Sequence, residues 1–273
     1  MPEIITSRQN DRIKFLCKLK DRTKRTRHRM FIVEGMRELA RALAGTVTFD
    51  TIFFCGELFR DQGARQLISG AAARSIPICE LSRGVFEKIS NRENCDGVLG
   101  LANFWETKLA DIHLPPNFTV LVAEGIEKAG NLGALMRSAE SAGVEAMILC
   151  DPVTDIFNPN VVRASQGAIF SLPIAVAPRE ETLLFLTKNA AKIFALTPAA
   201  KNFYFGENFT GNTAIIVGSE RDGLSDFWLK NNAIGKIALP QMGACDSLNV
   251  NDAAVVVLYE ILRQKGVPEC SRE

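Results

Sequence analysis

Polar side chains stand among glycines in the segment EGIEKAGNLGALMRSA, residues 124–139, directly after the apolar run FTVLVA. This order predicts a strand, a tight turn and a helix, with Asn131 in the turn and Arg137 on the helix. Glycine lets a ligand approach the backbone closely, and the start of a helix favours an anion. The spacing is neither the dinucleotide motif G-x-G-x-x-G nor the P-loop motif. The segment therefore predicts an anion-binding turn, with a structural turn and a surface arginine as the alternative.

A second segment, IIVGSERDGLS at 215–225, also follows a strongly apolar run. Gly218 can bring the backbone close to a ligand, and Glu220 can accept a hydrogen bond or a proton, or hold an arginine. The alternative is an ordinary connection from strand to helix, with Ser225 and Asp226 opening the helix.

The third segment, IALPQMGACDSLNVNDAAVVVLYEIL at 237–262, places Ser247 and Asn249 at the start of an apolar helix. Serine and asparagine favour helix caps, so capping is the alternative to a binding role. One capping residue is sufficient, however, and this segment also contains Asp246, Asn251 and Asp252. Such a group is richer in polar side chains than capping requires.

The elements around these segments predict an α/β domain with a parallel sheet, because the apolar runs are continuous rather than alternating. Strands are expected at 118–123, 145–150, 192–196, 213–219 and 235–239. Helices are expected at 130–142, 158–166, 179–190, 223–232 and 248–264. Ligands bind beyond the carboxyl ends of strands in such sheets, so the three segments are expected to share one site.

The residues before the prolines of ADIHLPPNF at 110–118 form a separate block. Helix and strand patterns alternate from Phe31 to Phe104 and predict a small α/β unit. Helices are expected at 34–44, 57–73 and 82–90, and strands at 50–55, 75–81 and 96–104. Residues 1–29 contain ten Lys or Arg and three acidic residues, a net charge of +7. This basic segment favours a polyanionic partner, with a solvated helix face as the alternative.

Composition excludes several other classes of protein. Seven scattered cysteines without a C-x-x-C pair disfavour a metal site or a disulfide framework, and indicate a reduced, cytoplasmic protein. Cys245 stands apart because it falls in the third segment. His28 and His113 are the only histidines, so a histidine-centred triad is disfavoured. No apolar stretch is long enough to span a bilayer, and the N-terminus lacks the apolar core of a signal peptide.

Together, GNLGALMRSAESAG, VGSERDGLS and ALPQMGACDSLNVNDAAVVVLYE resemble, in order and spacing, the three motifs of the SpoU/TrmH branch of the SPOUT RNA methyltransferases. The resemblance covers 118–264. It implies transfer of a methyl group from S-adenosylmethionine to a ribose 2′-hydroxyl of RNA, without a metal. It also implies a SPOUT α/β domain with a deep trefoil knot, and a homodimer formed through that domain.

Residues 8–104 resemble the L30e-like substrate-binding domain that many members of this branch carry. The expected domains are therefore an RNA-binding domain at 1–107, a linker at 108–117 and a catalytic domain at 118–273. The stretch VVRASQGAIFSLP at 161–173 is similar to one in rRNA-methylating resistance enzymes. That similarity favours 23S ribosomal RNA as substrate. The same chemistry on tRNA, or a non-catalytic RNA-binding module of this fold, are the alternatives.

The resemblance also assigns residues to roles. The catalytic positions are Asn131, Arg137, Glu220, Ser247 and Asn249. The positions around S-adenosylmethionine are Leu196, Gly218, Leu239, Ser247 and Leu248. The expected RNA contacts are Lys18, Lys20, Lys24, Arg25, Arg27, Arg29, Arg137 and Arg163. Ala129 departs from a common proline and Asn251 from a common serine, and both flank the matching positions.

Arg137 is the residue expected near the reacting hydroxyl. A guanidinium normally stays protonated, so we expect Arg137 to hold a phosphate or stabilise a developing alkoxide rather than to act as a base. A role as base remains open at this point. Glu220 is expected to orient Arg137 or the motif backbone.

Overall fold

The structure is a computed structural model that describes residues 4–92, 94–243 and 247–266. The chain divides into two compact units. The first contains Met1–Glu106 and Asp155–Ser171, and the second contains Thr107–Thr154 and Leu172–Glu273. The segment 155–171 therefore groups with the first unit, although it lies within the expected catalytic domain in the sequence.

The helices and strands of the described residues alternate along most of the chain. The helices are α1 (Asp11–Lys18), α2 (Arg22–His28), α3 (Met36–Ala44), α4 (Gln62–Ala73), α5 (Arg83–Ile89), α6 (Ala129–Ser141), α7 (Pro159–Ala164), α8 (Arg179–Lys188), α9 (Asp226–Leu229) and α10 (Val250–Lys265). The strands are β1 (Met30–Glu34), β2 (Phe49–Phe54), β3 (Ile78–Glu80), β4 (Val98–Asn103), β5 (Thr119–Glu124), β6 (Ala146–Cys150), β7 (Ile174–Ala177), β8 (Lys192–Leu196), β9 (Asn202–Phe203), β10 (Thr213–Val217) and β11 (Gly235–Ala238).

The first unit is built on a four-stranded sheet in the order β1–β4–β2–β3. Strand β4 runs antiparallel to both of its neighbours, and β2 is parallel to β3. The basic segment is folded here as α1 and α2, whose first turns are capped by Asn10 and Asp21. Ile13 and Leu16 of α1 are fully buried in the core of this unit. The apolar side of a strongly basic segment thus holds it in place.

Aromatic packing explains why 155–171 belongs to the first unit. The ring of Phe157 stacks on Phe104 with centroids 3.8 Å apart, and it also meets Phe31 and Trp105 at 5.0 and 4.8 Å. Such ring pairs add to the stabilisation that burial of their apolar area provides.

The second unit is built on a parallel sheet in the order β7–β6–β5–β10–β8–β11–β9. This confirms the expected α/β class and the parallel sheet. Every residue of β5, β6 and β10 is buried, because helices cover both faces. Val120 and Val122 pack in a cluster with Leu186 of α8 and Trp228 of α9. The alternate residue Leu121 is also fully buried.

Some elements differ from the expectations. Strand β10 ends at Val217, because the next residues form a turn in which Ser219 and Gly223 bond to each other through their backbones. Helix α9 is consequently confined to Asp226–Leu229. The short strands β7 and β9 were not expected from the sequence. Within the described part of the chain, no helix combines the length and apolar character needed to cross a membrane.

Candidate functional site

A cavity of about 590 Å³ opens in the second unit where β8, β10 and β11 end. Its volume lies within the range of roughly 300–1,000 Å³ that is usual for small-molecule and cofactor sites. The loops after these strands and the start of α10 form the walls. The lining residues include Lys128, Thr197, Pro198, Ala199, Val217, Ser219, Arg221, Asp222, Gly223, Leu224, Leu229, Gln241, Val250 and Ala253.

All five residues expected around the cofactor line this cavity, and they come from four separate parts of the chain. They are Leu196, Gly218, Leu239, Ser247 and Leu248. Three leucines supply apolar surface of the kind that suits a planar ring, while serine and exposed backbone supply polar groups. The cavity therefore fits an amphipathic small molecule such as S-adenosylmethionine.

Gly218 is required by the tight turn beside the cavity. A Cβ atom at this position would lie 2.2 Å from the carbonyl carbon of Gly223 and 2.5 Å from the backbone nitrogen of Leu224. Both neighbours are backbone and cannot rotate away. Gly223 has a φ of +67°, a conformation that glycine adopts readily. The two glycines together allow the turn to fold back on itself.

Three of the expected catalytic residues form one chain of hydrogen bonds. The Nδ2 atom of Asn131 donates to Oε1 of Glu220, and Nδ2 of Asn249 lies 3.4 Å from Oδ1 of Asn131. Asn249 also caps α10, because its Oδ1 accepts from the backbone nitrogen of Asn251 at 2.9 Å. Capping and site formation are thus not alternatives for this residue. Glu220 and Asn249 line the cavity, and Asn131 links them.

Two positions need correction against the sequence-based expectations. Asn131 lies in the first turn of α6 rather than in the preceding loop. Glu220 was expected to orient Arg137 or the backbone, but its hydrogen-bond partner among the described residues is Asn131.

Arg137 projects from another side of α6 and is exposed. Six residues of an α-helix correspond to about 1.7 turns, so Asn131 and Arg137 cannot share one face. Arg137 is not among the cavity-lining residues. The cluster that the described residues form therefore consists of Asn131, Glu220 and Asn249, with Ser247 exposed at the cavity.

Sequence reasoning missed part of the cavity wall. Lys128 immediately precedes α6, and Thr197 follows β8. Gln241 follows β11. Lys128 and Gln241 lie in the first and third segments but were not among the predicted site residues, whereas Thr197 lies outside all three segments. No site residue was predicted in the loop after β8, because this loop contains no glycine-rich motif.

The basic residues of the first unit fall into two groups. Lys18, Lys20, Arg27 and Arg29 are exposed, Lys24 is half-buried, and Arg163 is exposed on α7. Arg29 also forms an ion pair with Glu106 at 2.7 Å. These charges lie at the surface, where a polyanion can reach them.

Arg25 is different, because only 1% of the residue is exposed. Its guanidinium donates to the carbonyl oxygens of Leu19 and Lys20 at 2.9 and 2.8 Å and to Asp155 at 2.7 Å. A buried charge must be paired, and these contacts pair it. Arg25 is therefore a structural residue of the first unit rather than an RNA contact.

Cys150 is the cysteine of the second unit that lies among the described residues, and it adds no reactive group to the site. Burial raises the pKa of the Cys150 thiol to about 12, so it remains protonated and unreactive near neutrality. Cys245 and Asp246 lie outside the described residues. Among the described residues, no group of three or more His, Cys, Asp or Glu side chains is arranged to hold a metal.

Two family models match the chain. Residues 119–259 match the SpoU rRNA Methylase family. Residues 10–100 match the MRM3-like substrate binding domain. The two matches correspond to the three-motif region and to the small α/β block that precedes it.

Characterised and uncharacterised relatives match over nearly the whole chain. A 23S rRNA (uridine(2479)-2′-O)-methyltransferase of Streptomyces viridochromogenes is 27% identical over 96% of this chain and 92% of its own length. An uncharacterized tRNA/rRNA methyltransferase of Synechocystis is 32% identical over 96% of this chain and 94% of its own.

Solved structures show the same architecture. An RNA 2′-O ribose methyltransferase is 36% identical, with a TM-score of 0.84 over 96% of this chain and 99% of the other. An AdoMet-bound rRNA methyltransferase from Sinorhizobium meliloti is 27% identical, with a TM-score of 0.86 over 96% and 97% of the two chains.

Proposed function

This chain belongs to the SpoU rRNA methylase family, and we propose that it is an S-adenosylmethionine-dependent methyltransferase that methylates a ribose 2′-hydroxyl in 23S ribosomal RNA. The observation that most supports this function is the cavity of the second unit. Residues that the family pattern associates with S-adenosylmethionine come from separate parts of the chain, yet they line one volume. A module that only gripped RNA would not need such a cavity.

The choice of ribosomal RNA is supported by relatives that match over most of the chain. The Streptomyces viridochromogenes and Bacillus subtilis relatives are named for 2′-O-methylation of uridine 2479 and guanosine 2553 of 23S rRNA. The Synechocystis relative is named for tRNA or rRNA, so tRNA is the second candidate substrate. We place the reaction in the cytoplasm, where bacterial ribosomal RNA is assembled into ribosomes.

We assign the cofactor to the leucine-lined cavity, held by Leu196, Leu239 and Leu248 and by the backbone at Gly218. S-adenosylmethionine, when bound, supplies a methyl group attached to a positively charged sulfur. The neutral sulfide that remains after transfer is a good leaving group. The difficulty then lies with the ribose hydroxyl, which is a weak nucleophile until its proton is removed or its developing charge is stabilised. The protein must therefore hold this hydroxyl in line and stabilise the charge that forms on it.

The chain from Glu220 through Asn131 to Asn249 would provide the rigid part of this arrangement. Each member is fixed by another, so the polar groups are oriented before the substrate arrives. Ser247 is exposed at the cavity and can exchange hydrogen bonds with the reacting ribose. Arg137 would hold a neighbouring phosphate and stabilise the negative charge that develops on the ribose oxygen, since a guanidinium keeps its proton. The hydroxyl proton would pass to water as the bond from oxygen to the methyl group forms and the bond from the methyl group to sulfur breaks. Its exposure leaves it accessible to RNA.

The first unit would bind RNA through the surface charges Lys18, Lys20, Lys24, Arg27, Arg29 and Arg163. Contacts of this kind release counterions, so binding must weaken as salt rises. RNA affinity that does not change with salt would contradict this assignment. RNA is recognised mainly by shape and by exposed nucleotides, which suits a small α/β unit with a basic surface.

We also propose a homodimer formed by the second unit, and a trefoil knot at the carboxyl edge of its sheet. Val256 and Tyr259 on α10 are 36% and 48% exposed, which supports a contact surface on this helix. Light scattering that shows a monomer at micromolar concentration would contradict the dimer.

The function is tested by incubating the purified protein with labelled S-adenosylmethionine and either bulk tRNA or protein-free rRNA from cells that lack the gene. We expect label in rRNA, in a 2′-O-methyl nucleoside identified by mass. Label in tRNA alone would transfer the assignment to the second candidate. Neither label nor binding of S-adenosylmethionine would contradict the proposed activity and favour an RNA-binding module.

An Arg137→Ala substitution tests the mechanism. We expect kcat to fall about 10²- to 10³-fold, as when a charge-stabilising donor is removed, with the fold intact because the side chain is exposed. Lys188→Ala removes an exposed positive charge elsewhere in the second unit and should leave the rate unchanged. Near-normal turnover of the Arg137 variant would disprove the assignment.

A further inference from the structure

Glu124 is the last residue of β5, and only 7% of it is exposed. Both of its carboxylate oxygens are used. Oε2 accepts from the backbone nitrogen of Ser225, and Oε1 accepts from the Ser225 hydroxyl, each at 2.7 Å. The two residues are 101 positions apart in the sequence. The end of one strand is therefore tied to the loop that follows a neighbouring strand.

The same contact explains an unusual helix start. Ser225 is the N-cap residue of α9, but its side chain makes no capping hydrogen bond. A serine at this position normally accepts from a backbone nitrogen of the first turn. Here the hydroxyl donates to Glu124 instead. Hydrogen bonds to a carboxylate are about twice as strong as neutral ones. The bond from the Ser225 hydroxyl to Glu124 of β5 is therefore favoured over a capping bond to the backbone of α9.

A cation balances the buried carboxylate. The guanidinium of Arg179, at the start of α8, lies 3.6 Å from Oε1 of Glu124. It also approaches Asp151 at 3.8 Å and Glu180 at 3.5 Å, and it lies over the ring of Phe227 at 5.8 Å. Burying an unpaired charge would cost several kcal/mol, and the guanidinium of Arg179 supplies the opposite charge beside this carboxylate.

Ser225 terminates the loop that forms one wall of the cavity. Gly218, Glu220, Gly223 and Leu224 of this loop line the cavity, and Leu224 is bonded directly to Ser225. The loop also carries the carboxylate of Glu220 that bonds to Asn131. Its start is fixed by β10 and its end by Glu124. Glu124 itself is not among the residues that line the cavity.

We propose that Glu124 is a positioning residue for the methyl donor, acting through Ser225 to hold the 218–225 loop in its binding conformation. This inference rests on the proposed function, because it concerns the same cavity. Glu124 would touch neither the methyl donor nor the RNA. Its effect would appear mainly in the affinity for S-adenosylmethionine rather than in the rate of the chemical step.

The test is a Glu124→Gln substitution, which preserves the shape of the side chain. Glutamine replaces one of the two acceptor oxygens by an NH2 donor, so one donor group of Ser225 loses the oxygen it bonds to, and the substitution removes the charge opposite Arg179. We expect the Kd for S-adenosylmethionine, measured by calorimetry, and the KM for this substrate to rise about 10-fold or more. That corresponds to the loss of one hydrogen bond to a charged group. We expect kcat at saturation to change less than threefold.

The other end of β5 supplies a matched control. The Oε2 atom of Glu145 accepts from the backbone nitrogen of Thr119, the first residue of β5, at 2.5 Å. Glu145→Gln removes the carboxylate charge from a hydrogen bond to the same strand, away from the cavity, and so weakens that bond. We expect this variant to lose unfolding free energy while its Kd for S-adenosylmethionine stays within twofold of the native value.

Ser225→Ala is the second variant, and it keeps the proposal testable if the Glu124 variant fails to fold. It removes one of the two bonds and should raise the Kd by a smaller factor. The double variant should bind no more weakly than Glu124→Gln alone, because both changes remove the same contact. Native affinity in a folded Glu124→Gln or Ser225→Ala variant would overturn the positioning role. A native protein that does not bind S-adenosylmethionine would instead overturn the proposed function itself.

Discussion

The two ends of the parallel sheet in the second unit are both rich in polar side chains, but they use them differently. At the carboxyl end, side chains from separate segments of the chain bond to one another beside a cavity. Glu220, Asn131 and Asn249 are linked in this way. At the amino end, side chains bond mainly to backbone groups where strands begin.

Lys265, at the end of α10, illustrates the amino end. Its Nζ atom donates to the carbonyl oxygens of Asn117 and Phe118 at 2.8 and 2.6 Å, and to the Thr119 hydroxyl at 2.9 Å. Gln264 beside it accepts from the backbone nitrogen of Phe209 at 2.8 Å. These bonds close the start of the sheet.

Residue type therefore does not distinguish the ligand site from the polar contacts at the other end of the sheet. Amides and carboxylates stand at both ends of the strands. The two ends differ in the partners of their side chains. At the amino end the side chains bond to nearby backbone groups, whereas at the carboxyl end they bond to one another beside the cavity. The comparison predicts that changes at the carboxyl end affect ligand binding, whereas changes at the amino end affect stability.

Among the substitutions that test this comparison of the two ends, the largest effect is expected for Gly218→Ala at the carboxyl end. The new methyl group would press on the backbone of Gly223 at 2.2 Å, and overpacking of this kind costs about 1–3 kcal/mol. If the turn moves to relieve it, the Kd for S-adenosylmethionine should rise by up to about 100-fold. Calorimetric titration would measure the change.

Gly206→Ala is the matched control, because a Cβ atom there would meet nothing within 4 Å. It should bind S-adenosylmethionine as the native protein does. Equal affinities for the two variants would show that the turn at Gly218 does not shape the site.

At the amino end, Lys265→Met should lower the free energy of unfolding by about 1–3 kcal/mol, since it removes a donor from three acceptors. Denaturant titration would measure the loss. The KM for S-adenosylmethionine should remain native. A raised KM with unchanged stability would contradict the comparison.

Lys192→Met is the control for Lys265→Met. It removes one long contact at 3.3 Å to the carbonyl of Asn208 and should change the free energy of unfolding by less than about 0.5 kcal/mol.

The smallest effect is expected for the contribution of Glu260 to the free energy of unfolding at acid pH. Hydrogen bonds from Arg263 and Gln264 lower the pKa of Glu260 from 4.5 to about 2. The Glu260 carboxylate therefore binds a proton less readily in the folded state than in the unfolded state. The stabilisation that its hydrogen bonds provide is complete above pH 4.5 and is lost as the pH falls towards 2. Arg263 is 71% exposed, so the contribution should stay below about 1 kcal/mol.

Unfolding of the native protein and of Glu260→Gln at a series of pH values would measure this contribution. The difference between their unfolding free energies should be constant above pH 5 and shrink below about 4.5. Arg263→Gln should reduce the same difference at neutral pH. A difference that grows as the pH falls would contradict the assigned direction.

Much of the second unit was predictable because its strands are continuous apolar runs. Strands β5, β6 and β8 lie within one or two residues of their expected bounds. The strands β7 and β9 escaped prediction for a physical reason. Strand β7 has four residues and follows Pro173, and β9 has two exposed residues whose pairing with β11 depends on tertiary structure.

Charge alone does not identify which residues of the basic segment are exposed. Arg25 stands in the run KLKDRTKRTRHR beside residues that are exposed, and nothing nearby distinguishes it. Its burial depends on Asp155, which is 130 positions away. The prediction that Arg25 contacts RNA was wrong, because the side chain is buried and a distant carboxylate pairs with its charge.

Apolar periodicity is a local property of the chain, so the α/β class and the parallel sheet could be predicted from the sequence alone. The family resemblance of the motifs pointed to five of the residues that line the cavity. Which polar groups meet depends on the tertiary structure. The bonds from Ser225 to Glu124 and from Asn131 to Glu220 join residues 101 and 89 positions apart. A hydrogen bond depends on distances near 3 Å, and only the packed sheet brings the ends of separate strands that close together.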